Sequence, residues 1–303
     1  MLQKKGKWLQ YEIEPTWEGI EVERILMEKM LISHRQIQKL TRMRGIVVNR
    51  RIAHLKMKLK AGDMLRVELF GREEYGVIPE EIPLDILYED DDILVVNKAA
   101  GLSVHPNKPN QLHTLANGIA YYYQQQGIAA KVRHIHRLDK DTSGTLLLAK
   151  HAYAQAILDK DLRERKIHRQ YYAVVHGRME EEHGTYCFPI ARDPRHGTRR
   201  MVSPNGETAI THYHCLATNG EYSLVECKLE TGRTHQIRVH FRHAGHPLVG
   251  DGLYGGDPTL FPRQALHAFT IQFQHPMDGR QMQIDAPIPS DLQRLFVRLG
   301  LKE

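Results

Sequence analysis

From residue 86 onward the sequence is a succession of short strand-like runs, and several of the turns between them are too brief to hold a crossover helix. ILY (86–88), ILVVN (93–97), TLLLA (145–149), RQYYAVVHG (169–177), YSLVECKLETG (222–232), HQIRVHF (235–241) and FTIQF (269–273) alternate or run apolar in the manner of strands. A parallel pair needs a connection of a dozen or more residues, so the short connections at 89–92 and 233–234 allow only antiparallel pairs, and a largely antiparallel sheet is the natural reading. Helical periodicity in this part is clearest at about 152–165. The fold class expected is α+β, a mostly antiparallel mixed sheet with flanking helices.

Charge divides the chain. Residues 33–72 carry eleven Lys and Arg against Asp63 and Glu68, a net of +9, whereas residues 73–92 hold nine acids and no Lys or Arg. The prolines of VIPEEIPLD (77–85) favour extended backbone across that reversal. A small unit over 1–75, a connector over 76–92 and a large unit over 93–303 follow. With 41% hydrophobic and 26% charged residues a real core is expected, and the net charge of +6 favours a polyanionic partner. No apolar run approaches the ~20 residues of a membrane span, and MLQKKGKWLQYEIE lacks the apolar centre of a secretory signal. Cys187, Cys215 and Cys227 are odd in number and widely spaced, which argues against disulfides and suits a reducing cytoplasm.

In the small unit, Val22, Ile25, Leu26 and Met30 share a helical face. A second helix starts at Ser33, with Gln36 at the spacing of reciprocal capping, and is stopped by Gly45. Its Ile37 and Leu40 point inward while Arg35, Lys39 and Arg42 form an outward basic stripe. GIVVNRRI and the run 57–69 read as strands with turns at Asn49 and at Ala61, Gly62 and Asp63. A cationic stripe beside a basic strand pair suits RNA phosphates, although a solvated helix face explains the same pattern. The order S-H-R-Q-I-Q-K-L, G-I-V-V-N-R-R, K-A-G-D resembles the S4 RNA-binding module over about 18–70, with Val22-Glu23-Arg24 where Arg-Leu-Asp is usual. The resemblance implies a small α/β domain that binds RNA, with Arg35, Lys39, Arg42, Arg50 and Arg51 as its contacts.

The densest polar chemistry lies in HRLDKDTSGTLLLAK (136–150), at the mouth of an apolar run. Asp141, Thr142 and Ser143 fit a tight turn before that run, since such side chains bond nearby amides. Asp139 is harder to explain so, because a carboxylate beside a buried strand is costly unless a cation or several donors hold it. Arg238 is a candidate cation. Strand alternation in HQIRVHF sets His235, Ile237, Val239 and Phe241 on one face and Gln236, Arg238 and His240 on the other. If Arg238 meets Asp139, the carboxylate stays ionised with its orientation set. Tyr171 or Tyr172 offers an aromatic neighbour, only one of them facing inward.

Together these stretches resemble the RluA-like family of RNA pseudouridine synthases, the large-subunit rRNA type, over essentially 80–295. The motif H-R-L-D-x-x-T-S-G with a following A-K stands at 136–150, K-x-Y-x-A-x-V-x-G at 169–177 with Arg169 in place of Lys, and T-G-R-T-H-Q-I-R-V-H at 231–240; GHPLVGDGLYG and LHAFTIQFQHP continue the likeness. The resemblance implies the pseudouridine synthase fold, with Asp139 as catalytic carboxylate, Tyr171 stacking on the target base and Arg238 as ion-pair partner. It also implies Arg137 filling the gap left by an extruded nucleotide. Arg233 and Lys98 are further cations that either contact phosphate or are simply solvated. The isomerisation it implies breaks C1'–N1, turns the uracil and joins C5 to C1' with no net change of atoms, so no cofactor is expected. A carboxylate near C1' can attack it or remove the 2' proton.

Nineteen histidines invite a metal reading, but no HExxH or CxxC is present and no metal is expected. A non-catalytic S4-type ribosome-assembly protein is the other reading, and for it Asp139 has no use. The chain is therefore expected to be a cytoplasmic, monomeric isomerase of uridines in rRNA or, alternatively, in tRNA.

Overall fold

Strand alternation builds this chain around two sheets, each burying one or both faces against helices. The computed structural model describes residues 2–301. The first sheet uses β1 (Leu2–Lys5), β2 (Trp8–Glu12), β3 (Ile46–Val48), β4 (Arg51–Ile52) and β5 (Met64–Glu68), in the order β1-β2-β5-β3-β4, all antiparallel. Helices α1 (Val22–Glu28) and α2 (His34–Arg42) supply Val22, Ile25, Leu26, Ile37 and Leu40 to a core with Leu9, Tyr11, Ile46, Val48, Leu65 and Val67. The Ser33 hydroxyl accepts from the Gln36 amide at 3.4 Å, capping α2.

Three details differ from the sequence expectation. Strands β1 and β2 escape the pattern because they are short and polar, inserting little more than Leu9 and Tyr11 into the core. The expected strand over 57–69 is confined to Met64–Glu68, since the turn at Gly62 (φ 84°) separates it from a loop in which Met57 and Leu59 bond instead to Val22 and Ile20. At the end of α2 it is Arg44 (φ 56°) that turns left-handed, while Gly45 is needed for close approach: a Cβ there would lie 3.2 Å from Leu40 and 3.3 Å from Glu68. The Asn49 turn does form, with Asn49 (φ 48°) and Arg50 (φ 69°) both left-handed, the backbone twist that suits a two-residue hairpin.

The large sheet contains β6 (Ile86–Glu89), β7 (Ile93–Lys98), β8 (Arg133–His134), β9 (Ser143–Ala149), β10 (His168–His176) and β11 (His183–Tyr186). A separate ribbon of β12 (Ile190–Arg192) and β13 (Arg200–Val202) precedes β14 (Thr211–Thr218), β15 (Tyr222–Leu229), β16 (Leu266–Gln274) and β17 (Gln281–Asp285). The sheet runs β11-β14-β15-β10-β16-β9-β7-β6, with β17 on β16 and β8 on β9. Every pairing is antiparallel except β9 with β16, where Ser143 and Gly144 lie opposite His267 and Ala268.

All seven residues of β9 are buried because both faces of the sheet are covered. Leu146 and Leu148 pack with Leu94, Val96, Ala173, Val175 and Val225 against α3 (Leu115–Gln125) and α5 (Gln236–His243). Leu147 and Ala149 face α4 (Ala152–Arg163), with Ile93, Val95, Leu158, Ile271 and Phe273. Each Val, Leu, Ile or Phe among them contributes about 1.5–3 kcal/mol on burial. A last helix, α6 (Ser290–Arg298), covers Val174 and Leu224. The acidic stretch 73–92 is strapped down: Asn117 of α3 donates its side-chain amide to Ile78 O at 2.7 Å, and Arg133 pairs with Glu73 at 2.6 Å. Tyr153 of α4 packs into the core of the small unit, and Lys4 reaches Asp91 and Asp92 at 3.4 and 3.3 Å.

The expected strand HQIRVHF is instead the helix α5. Over so short a run both periods fit, and the stop decides: Gly245 (φ 91°) ends the helix as His246 N–H returns to Phe241 O at 2.8 Å. At its start the Gln236 side-chain oxygen accepts from Arg233 N–H at 3.0 Å and from the Thr231 hydroxyl at 2.8 Å. Ile237 and Phe241, one turn apart, then face the sheet.

Candidate active site

Asp139 sits in the loop between β8 and β9, and most of the polar residues after it hold that loop. Thr142 N–H bonds Asp139 O at 3.1 Å, Gln264 donates to the Thr142 hydroxyl at 3.2 Å, and Ser143 Oγ meets His267 Nδ1 at 3.0 Å. Arg263 donates to Asp141 O at 3.0 Å and is itself paired with Asp291 at 2.8 Å. His136 is buried and gives Nε2 as acceptor to the Leu147 amide at 3.2 Å; burial, with the nearby charge of Arg169, pushes its pKa down to about 3, so the ring is neutral. Lys98, expected at a phosphate or in solvent, is fully buried. Its Nζ donates to Ala99 O and Leu102 O at 2.8 Å and to Lys140 O at 2.9 Å, tying β7 to the residue after Asp139. Strand alternation places it inside, and three carbonyls use its three protons.

Arg238 reaches the loop from the first turn of α5. Its Nη1 donates to Asp139 Oδ2 at 2.8 Å, and its Nε and Nη2 donate to Asp251 Oδ2 and Oδ1 at 2.6 and 2.9 Å. Burial opposes the charged guanidinium, but its hydrogen bonds to Asp251 and the charges of both carboxylates outweigh it and raise its pKa. Asp251 is 1% exposed, whereas the Asp139 side chain keeps 23% of its surface open. The guanidinium also lies 5.0 Å from the Tyr254 ring centroid.

The second oxygen of Asp139, Oδ1, faces His235 Nε2 at 3.9 Å. His235 is left-handed (φ 59°), a conformation uncommon outside glycine and one that clusters at functional sites. Its Nδ1 lies 2.9 Å from the Tyr254 hydroxyl, whose oxygen accepts from Arg200 N–H at 2.8 Å. Burial lowers the His235 pKa although Asp139 pulls the other way.

Of the two neighbouring tyrosines on β10, Tyr171 shares the face of Ala173 and Val175 and is 4% exposed. Burial raises its phenol pKa; Arg169 acts against that rise and Asp139 adds to it, which ties the ring to the same polar cluster. Tyr172 faces the other way and stacks on Phe269, with centroids 4.0 Å apart.

The remaining cations named from the sequence are exposed. Arg137 lies two residues before Asp139; Arg233 donates to Thr208 O at 3.0 Å and pairs with Glu207. Arg35, Lys39, Arg42, Arg50 and Arg51 are all exposed on the small unit, and none is ion-paired with another described residue. Sequence reasoning passed over Asp251, His235 and Tyr254 as site residues. An acid set between Gly250 and Gly252, with a tyrosine three residues later, was the available signal.

Residues 92–243 match the RNA pseudouridylate synthase family, and residues 9–65 match the RluD ribosomal pseudouridine synthase N-terminal domain. The chain is 45% identical to the uncharacterized RNA pseudouridine synthase YhcT of Bacillus subtilis, over 97% of this chain and 98% of that one. It is 42% identical to ribosomal large subunit pseudouridine synthase D of Escherichia coli O6:H1, over 80% of this chain and 78% of that one. Among solved structures, human RNA pseudouridylate synthase domain containing 1 superposes with a TM-score of 0.58 at 29% identity, covering 68% of this chain and 84% of the human one.

Proposed function

The chain belongs to the RNA pseudouridine synthases, isomerases that act on RNA, and from that premise we propose that it converts uridines of large-subunit ribosomal RNA, with Asp139 as the catalytic carboxylate. The single observation that carries the assignment of Asp139 is its pairing: a partly open carboxylate with one oxygen held at 2.8 Å by Arg238, which Asp251 holds in turn. Such a carboxylate is oriented before substrate arrives and stabilises positive charge developing on the ribose as C1'–N1 breaks. The uracil then turns and C5 joins C1', with the C5 proton leaving and N1 gaining one, so no atom is gained or lost overall. Tyr171 provides the face on which the everted base stacks, and Arg137, exposed two residues before Asp139, fills the space the nucleotide leaves.

Ribosomal RNA is favoured over transfer RNA by the likeness to synthases named for the ribosomal large subunit, which extends into the small unit. That unit acts as an S4-like clamp in which Arg35, Lys39, Arg42, Arg50 and Arg51 take phosphates, with Arg233 on the large unit. Asp139, Arg238 and Asp251 meet within a single chain, and action as a monomer is part of the proposal. Cytoplasmic action fits the three free cysteines and the absence, among the described residues, of a helix long and apolar enough to cross a membrane.

Mapping pseudouridines in ribosomal and transfer RNA with and without the gene tests this. Loss of sites in 23S-type RNA, restored by the wild type but not by Asp139→Asn, is expected. Loss confined to transfer RNA would overturn the substrate, and restoration by Asp139→Asn would overturn the site.

A further inference from the structure

Four arginines of the chain are buried, and one of them is given no anion by the fold. Arg133 pairs with Glu73 and bonds Lys131 O, Arg238 is held between two aspartates, and Arg263 pairs with Asp291 and bonds backbone carbonyls. Arg169, 6% exposed, has no carboxylate and no hydrogen-bond acceptor among the described residues, and its Nε is sealed without a partner. An unpaired buried charge is among the most unfavourable things a fold can hold, which makes the site one that a ligand's charge completes.

Its position gives that ligand an identity. Arg169 lies two residues before Tyr171 on β10, so alternation puts both on one face. Its head rests against the turn that leads into α5: a Cβ on Gly232 would fall 2.8 Å from Nη1. Its charge is felt by Tyr171 and His136, placing it in the polar cluster that includes Asp139. Uracil and ribose are neutral, and the anions RNA brings to such a site are its phosphates. A guanidinium presents a planar fork of donors that matches two phosphate oxygens.

We propose that Arg169 binds a phosphate flanking the everted uridine, and that this contact anchors the nucleotide with its sugar at Asp139. The inference rests on Asp139 marking the place of the sugar. It also accounts for an arginine kept buried without a counterion, which a structural role leaves unexplained.

The test uses the full chain, its Arg169→Met and Arg169→Lys variants, and synthetic RNAs spanning the mapped uridine with a neutral methylphosphonate at the 5' or the 3' phosphate. Removing the uncompensated charge is expected to raise the melting temperature of Arg169→Met while kcat/KM falls at least roughly tenfold. One of the two methylphosphonates should cost the wild type a comparable factor and cost Arg169→Met little more, with Arg169→Lys between; which of the two RNAs behaves so identifies the phosphate. A lower melting temperature in Arg169→Met together with undiminished sensitivity to both methylphosphonates would overturn the proposal, as would unchanged kcat/KM. Because the methylphosphonate arm on the wild type needs no mutation, poor folding of a variant does not remove the test. Activity in Asp139→Asn would instead sink the reading of the site on which the proposal stands.

Discussion

Asp251 engages Arg238 with both carboxylate oxygens, at 2.6 and 2.9 Å, and so leaves a single Nη1 to meet Asp139. The buried acid thus sets the direction of the partly open one through the guanidinium between them, without touching substrate itself. Asp251→Ala is expected to cost about 3–5 kcal/mol of stability, as breaking a buried pair does. Asp251→Asn, which keeps the shape but loses the charge, should lower kcat by about 10²-fold through misplacement of Asp139 while RNA affinity stays near wild type. Arg238→Lys cannot serve both acids and should behave similarly. Single-turnover rates beside binding isotherms check this, and a full-rate Asp251→Asn would mean that Asp139 needs no such support.

Lys98 makes stability depend on pH in a definite direction. Burial pulls its pKa down to about 7 against the charges of Asp141 and Asp139, whereas the unfolded amine titrates near 10.5. Between those values the unfolded chain binds a proton that the folded chain lacks. The contribution of Lys98 to stability therefore rises with pH across that window, by up to about 1.4 kcal/mol per pH unit, and is flat below it. In Lys98→Met this component is gone. Denaturant melts of both proteins at pH 7 and pH 9 should show the gap between them widening in favour of the wild type; parallel changes would contradict the assignment.

Gly144 marks the only parallel junction of the large sheet among the described residues. Its φ is 115°, and a Cβ would lie 2.1 Å from the carbonyl oxygen of Ala268 on β16. Gly144→Ala combines backbone strain with a backbone clash, and a loss of at least about 3 kcal/mol is expected. Gly101, with φ 84° and open space around it, is the control: there only the backbone penalty of about 1 kcal/mol applies. Equal melting temperatures for the two variants would show that β16 can move aside.

The basic stripe on α2 should act on RNA by charge alone. Replacing Arg35, Lys39 and Arg42 together with Gln removes three exposed, unpaired cations. The slope of log affinity against log salt should become shallower by about 2–3, with stability within about 0.5 kcal/mol of wild type. An unchanged slope would place the RNA elsewhere.

What the sequence by itself determined was local. Alternating or continuous apolar runs specified β7, β9, β10, β15 and β16; helical spacing specified α1, α2 and α4; and the H-R-L-D, Arg-Gln-Tyr and T-G-R-T-H-Q-I-R stretches singled out Asp139, Tyr171 and Arg238. Each of these is written within a window of a dozen residues or so, where side-chain period and turn chemistry act directly. Tertiary structure decided the rest. HQIRVHF fits a strand and a helix equally well on paper, and it is a helix because Gly245 ends it and Ile237 and Phe241 pack together on the sheet. The bond from Arg238 to Asp139 spans 99 positions, and that from Lys98 to Lys140 O spans 42. Whether a lysine is solvated or locked beneath a loop, whether an arginine finds two acids or none, and which of two tyrosines faces the site depend on partners that no short window contains.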